Sequence, residues 1–166
     1  MKRIAIVEDN RDNRLLLRAI IDEQYELVEY ATGRAALDGI RTDPPDLILL
    51  DISLPEMDGT EVLRRLRSDA SLRRIPAIAL TAHAMRGVRE RLLAEGFDGY
   101  VVKPIVDEGE LLDTIARLLD TGVDTGVDTG VDTGAAGDTL SGPLAISPKQ
   151  SATPSNAGDG PAGDAK

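Results

Sequence analysis

The sequence predicts an α/β fold: a doubly wound sheet of five parallel strands, covered by helices on both faces and followed by a disordered tail. Three observations predict it. Short, uninterrupted apolar runs recur through residues 1–119, each ending at polar residues or turn formers. Segments with helical apolar spacing lie between those runs. Composition then breaks near residue 120, and residues 120–166 hold 9 of the 16 glycines and 4 of the 9 prolines but none of the four aromatic residues.

The first run is Ile4 to Val7 (IAIV). Being apolar at consecutive rather than alternate positions, it suits a strand buried on both faces, which implies a mostly parallel sheet sandwiched by helices. A helix is expected over about 11–23, with Leu16, Ala19 and Ile20 on one face. A weaker run at Leu27 to Ala31 makes a second strand, and a helix over about 33–41 follows. Pro44 and Pro45 stand just before the third run, Leu47 to Leu50 (LILL), where a missing N–H is tolerated. Val62, Leu63 and Leu66 share a face of a helix over about 59–68. Pro76 precedes the fourth run, Ala77 to Leu80 (AIAL), and a helix over about 84–95 leads to Gly96 and Gly99, which flank the turn into Tyr100 to Val102 (YVV). Ile115, Leu118 and Leu119 mark a last helix over about 108–119. Together these are five strand–helix units.

Residues 120–166 contain D-T-G four times at a four-residue period from Asp120 to Gly134, with seven acids against two lysines. Their few Val, Leu and Ile residues cannot offset a backbone-ordering cost of about 1–2 kcal/mol per residue, so they read as a low-complexity, acidic, disordered tail. The aspartates are too sparse and the unit too short for the known calcium-binding repeats. The domain is therefore expected to span 1–119 and the tail 120–166.

Cysteine is absent and His83 is the single histidine, which excludes disulfides, thiolate metal sites, cysteine nucleophiles and clustered-imidazole zinc sites. A net charge of −10 opposes binding to nucleic acid or to an anionic membrane surface. No apolar run approaches the roughly 20 residues of a bilayer span, and MKRIAIVEDN reaches acidic residues too early for a signal peptide. A cytoplasmic location is the default expectation.

The polar residues that follow the runs carry the chemistry. Val7 is followed by Glu8 and Asp9, Leu50 by Asp51, Leu80 by Thr81, and Val102 by Lys103. In a parallel sheet all strand exits lie on one edge, where ligands of open α/β sheets bind. Taken singly, such an Asp or Thr is more often a turn former or a helix cap, and such a Lys a solvated charge. Four exits in register have no such structural reason. Three carboxylates together call for a shared cation, and all-oxygen ligation with room for water favours Mg2+. A cation, an ammonium and a hydroxyl are what the oxygens of a phosphoryl group need around them.

IAIVEDN, LILLDISLPEMDG, AIALTA and YVVKP resemble the four signature segments of the response-regulator receiver domain, the CheY-like phosphoacceptor of two-component signalling, over residues 2 to 119. The resemblance implies the flavodoxin-like strand order 2-1-3-4-5. It implies that Asp51 is phosphorylated from the phosphohistidine of a sensor histidine kinase or a histidine phosphotransfer protein. It further implies that Asp9 binds magnesium directly with Glu8 in support, that the Ser53 carbonyl is another ligand, and that Thr81 and Lys103 engage the phosphoryl oxygens. Tyr100 then turns inward as part of the switch, and the Lys103–Pro104 bond is cis. Such a protein is a switch, not a metabolic enzyme, and catalyses only its own phosphoryl uptake and hydrolysis on Asp51. The segment TAHAMRG, which contains His83, is similar to the same loop in single-domain, DivK-like receivers and in receivers fused to hybrid kinases, which points to a phosphotransfer partner or an effector kinase.

Two rivals are set aside. A phosphatase of the haloacid-dehalogenase type needs a second Asp two residues after its nucleophile, where this chain has Ser53, and the D-G-T at Asp58 to Thr60 lies in a loop. A dinucleotide-binding enzyme needs a G-x-G-x-x-G after the first strand, and none is present. The remaining alternative is a receiver-like interaction module that works without phosphorylation. A DNA-binding output lacks the basic domain it requires. The cognate kinase, the output and the oligomeric state are not written in the sequence.

Overall fold

Five strands form one parallel sheet in the order β2-β1-β3-β4-β5: β1 (Arg3–Val7), β2 (Glu26–Tyr30), β3 (Leu47–Asp51), β4 (Ala77–Thr81) and β5 (Gly99–Val102). Five helices alternate with them: α1 (Arg11–Ile21), α2 (Gly33–Thr42), α3 (Gly59–Ser68), α4 (Val88–Ala94) and α5 (Glu108–Thr121). This computed structural model describes residues 1–121, and the expected tail falls outside the described residues from residue 122 onward. Asp120 and Thr121 still belong to α5, two residues beyond the expected end of the domain. Among the described residues no helix is long and apolar enough to cross a membrane.

Strand residues divide alternately between two apolar layers, as the pleat requires. Ala5, Val7, Ile48, Leu50, Ala77 and Ala79 pack with α2, α3 and α4. Ile4, Ile6, Leu47, Leu49, Ile78 and Leu80 pack with α1 and α5. Both faces of β3 and β4 are dry, which explains why their sequences are apolar without alternation.

Helix starts are fixed by side chains that take up free backbone N–H groups. Asn10 caps α1 through Asp12 N and Asn13 N, Thr32 caps α2 through Ala35 N, and Asp58 caps α3 through Glu61 N. Asp107 accepts from Glu110 N at the start of α5. The D-G-T segment is thus the entry to α3. α4 begins at Val88, four residues later than its spacing suggests, because 84–86 offer no cap and Gly87 adopts a left-handed conformation (φ 85°).

The buried face of α1 is also corrected. Leu17 and Ile21 are buried and Ile20 is partly covered, whereas Leu16 is 40% exposed and Ala19 lies outside. The run LLLRAII contains two overlapping stripes one residue apart, and both have helical period. Leu17→Ala is therefore expected to cost about 2–5 kcal/mol in urea unfolding and Leu16→Ala about 1 kcal/mol or less. The reverse ranking would contradict this packing.

Candidate functional site

Sheet register brings the strand exits to one edge. Val7 pairs with Leu50, Asp51 with Leu80, and Thr81 with Val102, so Glu8, Asp51, Thr81 and Lys103 all emerge on the same rim. Beside it the strand order reverses, with β1 between β2 and β3, which opens a crevice between the crossovers. Glu8, Asp51 and Thr81 are the buried polar or charged residues among the described residues, at 1%, 1% and 4% exposure.

Burying two carboxylates costs several kcal/mol each unless they are paired and hydrogen-bonded. Lys103 Nζ lies 3.0 Å from Asp51 Oδ2 and 3.1 Å from Glu8 Oε2, bridging the two. The other oxygens are met by the backbone: Ser53 N donates to Asp51 Oδ1 (3.0 Å) and Asn10 N to Glu8 Oε1 (3.0 Å). Lys103 N in turn donates to the Thr81 carbonyl (2.7 Å), which anchors the lysine to β4. The Lys103–Pro104 peptide bond is cis, as the resemblance implied.

Burial pushes the Glu8 carboxyl above its ordinary range; the Asn10 N–H opposes this, the Asp51 charge adds to it, and Lys103 restrains it. Burial works to lower the Lys103 ammonium, yet its hydrogen bonds and charge interactions with Asp51 and Glu8 outweigh that, and its pKa is raised. Lys103 therefore stays charged throughout the neutral range.

Asp9 is exposed at the mouth of this cluster. One carboxylate oxygen each from Glu8, Asp9 and Asp51 lies within 4.8 Å of the others. Three hard oxygen donors against one ammonium leave surplus negative charge at a half-open position, a donor set that fits a magnesium ion.

The remaining expected residues lie as follows. Ser53 is exposed and touches the cluster through its N–H. Thr81 Oγ1 accepts from His83 N (3.1 Å) and donates to the His83 carbonyl at a long 3.5 Å, while the His83 residue is exposed. Tyr100 is half-buried on β5, packed against the layer holding α2, α3 and α4, and is not brought to the carboxylates.

Two residues of the site were not evident in the sequence. Arg14, on α1, donates through Nη1 to the main-chain carbonyls of Glu8 (2.8 Å) and Asp9 (3.0 Å). Gly59, at the first position of α3, donates its N–H to the Ile52 carbonyl (3.0 Å) and lies directly against the Asp51 carbonyl. Both act on main chain, which leaves no motif of interacting side-chain types; the only signal was their proximity in sequence to the acidic segments.

A family model described as "Response regulator receiver domain" matches residues 4–116. The chain is 48% identical over 105 residues to the polar-differentiation response regulator DivK of Brucella ovis, covering 63% of this chain and 85% of that protein. Among solved structures it is similar to the receiver domain of the sensor histidine kinase PA1611 of Pseudomonas aeruginosa, whose structure has a magnesium ion coordinated in the active-site cleft: TM-score 0.66 at 34% identity, covering 72% of this chain and 98% of that one. It also resembles chemotaxis protein CheY4 of Vibrio cholerae, with a TM-score of 0.66 at 28% identity over 71% of this chain and 98% of that one.

Proposed function

Because the chain belongs to the response-regulator receiver family, whose members are signalling proteins rather than metabolic enzymes, we propose that it is a phosphoacceptor of a two-component or phosphorelay system that takes a phosphoryl group onto Asp51. The observation that carries this reading is Lys103 Nζ at 3.0 Å from Asp51 Oδ2, inside a cluster in which one oxygen from each of three carboxylates lies within 4.8 Å of the others.

Asp9 and Asp51, with the Ser53 carbonyl as a further ligand and Glu8 in support, would hold a magnesium ion, which when bound supplies positive charge to offset the carboxylate and the incoming phosphoryl group. A carboxylate oxygen of Asp51 forms a bond to phosphorus as the phosphorus–nitrogen bond of the donor histidine breaks, and the leaving imidazole keeps the electron pair and takes a proton. Lys103 already touches Asp51 and needs little movement to meet the new phosphoryl oxygens. The product carries about two negative charges. The Thr81 hydroxyl proton, whose acceptor is the His83 carbonyl at a long 3.5 Å, can turn onto the product, although Oγ1 must then give up or stretch the 3.1 Å bond it accepts from His83 N. Tyr100 moving inward then alters the surface of α4, β5 and α5, shifting an existing equilibrium between two states. Attack of water on phosphorus breaks the bond to the Asp51 oxygen, releasing inorganic phosphate and returning Asp51 to the carboxylate that pairs with Lys103.

A sensor histidine kinase or a histidine phosphotransfer protein is the donor in this reading, and an effector kinase a recipient of the signal. Leu15 and Leu16 on α1 and Val106 after β5 are 50%, 40% and 90% exposed, and Leu16 lines a cleft with Lys103, Pro104 and Ile105. Such an apolar margin beside the acidic pocket supports docking of a partner there.

Incubation with acetyl phosphate and magnesium, read by intact mass, tests the assignment. Wild type is expected to gain one base-labile phosphate and Asp51→Asn none. Equal incorporation in both overturns Asp51 as the acceptor, and no incorporation in wild type favours the phosphorylation-independent interaction module.

A further inference from the structure

Asp9 is the most weakly held member of the carboxylate cluster. Glu8 is fixed by Lys103 and by Asn10 N, and Asp51 by Lys103 and Ser53 N. Among the described residues the one hydrogen bond made to Asp9 is at its carbonyl, from Arg14 Nη1 at 3.0 Å. The same nitrogen holds the Glu8 carbonyl at 2.8 Å, so a single guanidinium grips two successive peptide groups of the loop between β1 and α1. Arg14 is itself oriented from behind, its Nε lying 3.4 Å from Glu29 Oε2 at the end of β2. Glu29 also meets Arg18 Nε at 3.4 Å.

We infer that Arg14 is a positioning residue for the metal-facing carboxylate of Asp9, acting through the backbone of residues 8–10 and steadied by Glu29. This rests on the phosphoacceptor reading above. Two carbonyls fixed on one donor leave the peptide between Glu8 and Asp9 little freedom to rotate. The direction in which the Asp9 side chain leaves the main chain is fixed with it. Glu29 is shared between Arg14 and Arg18, so the Arg14 charge is offset only in part, and its support of the site comes from the two main-chain carbonyls it holds against whatever repulsion of a cation remains.

Magnesium titration of the full chain by calorimetry, alongside amide hydrogen exchange of the metal-free protein by NMR, tests this. Arg14→Ala is expected to weaken magnesium binding about tenfold, the scale of lost outer-sphere support. The amide of Asn10, which donates to Glu8 Oε1, should exchange faster, while those in the centre of α1 keep their protection. Arg14→Lys, which keeps the charge but cannot serve the carbonyls and Glu29 together, should fall between. Magnesium affinity within twofold of wild type in Arg14→Ala, or tighter, overturns the inference, tighter binding meaning that the guanidinium acts by repulsion. If Arg14→Ala does not fold, Glu29→Gln, which frees Arg14 without removing it, is expected to weaken binding about threefold, and unchanged binding overturns the inference equally. Wild type that fails to bind magnesium overturns the phosphoacceptor reading and this inference together, a result distinct from wild type and variant binding alike.

Discussion

Gly59→Ala is expected to lower the unfolding free energy by about 2–4 kcal/mol and to slow phosphate uptake about 100-fold. A Cβ at this position would fall directly on the Asp51 carbonyl oxygen and would lie 2.9 Å from the Asp51 carbonyl carbon and from Ile52 Cα. All three are main-chain atoms of β3 and its exit, so no rotamer change relieves the clash. Relief requires α3 to lift, which breaks the Gly59 N to Ile52 carbonyl bond, or β3 to shift, which moves the Asp51 carboxylate away from Lys103. Urea unfolding and the acetyl phosphate assay measure the two consequences separately. A variant as stable and as reactive as wild type would show that α3 does not abut the nucleophile's main chain.

Lys103→Met is expected to cost about 2–4 kcal/mol near neutral pH, because it leaves two carboxylates, each 1% exposed, facing one another without their shared cation. The deficit has a pH signature. Burial already raises the Glu8 pKa above its unfolded value of 4.5. A group with a raised folded pKa stabilises the fold fully below the unfolded pKa, and that contribution is lost as pH rises through the folded pKa. Removing the ammonium takes away an influence that holds Glu8 down, so its folded pKa climbs further and the window widens upward. The gap between variant and wild type should therefore be largest near neutrality and shrink as pH falls toward 4.5. Lys103's own raised pKa gives stability that is fully present below 10.5 and lost as pH rises through the folded value, so wild type keeps the bridge across this range. Urea midpoints across the same interval measure the gap, and one that stays constant with pH would mean that the lysine contributes packing alone.

The rim of the site was legible because each central strand is four apolar residues followed at once by a polar one, and parallel pairing puts such ends together. Asp51 as the acceptor and Tyr100 as a switch came from the resemblance, since exit position alone does not rank three carboxylates. The face of α1 was misjudged by one residue because LLLRAII satisfies helical period twice, and only the space between β1 and α5 decides that Leu17 enters. The start of α4 was misplaced because Ala84, Met85 and Arg86 offer no capping side chain, so the helix begins where Gly87 permits a turn rather than where apolar spacing begins. Arg14 escaped notice because its partners are carbonyls, which every residue has.

Dry packing on both sides of β3 has a consequence for strand slippage. In a one-sided sheet a slip of one residue exposes the oily face to water, and this penalty fixes the pairing. Here Leu47, Ile48, Leu49 and Leu50 would merely trade layers, apolar for apolar. The end-stop is instead Asp51: sliding it inward would strip the carboxylate of Lys103 and drag it between hydrocarbon walls, at several kcal/mol. The acid placed for chemistry thereby also sets the alignment of the strand that carries it.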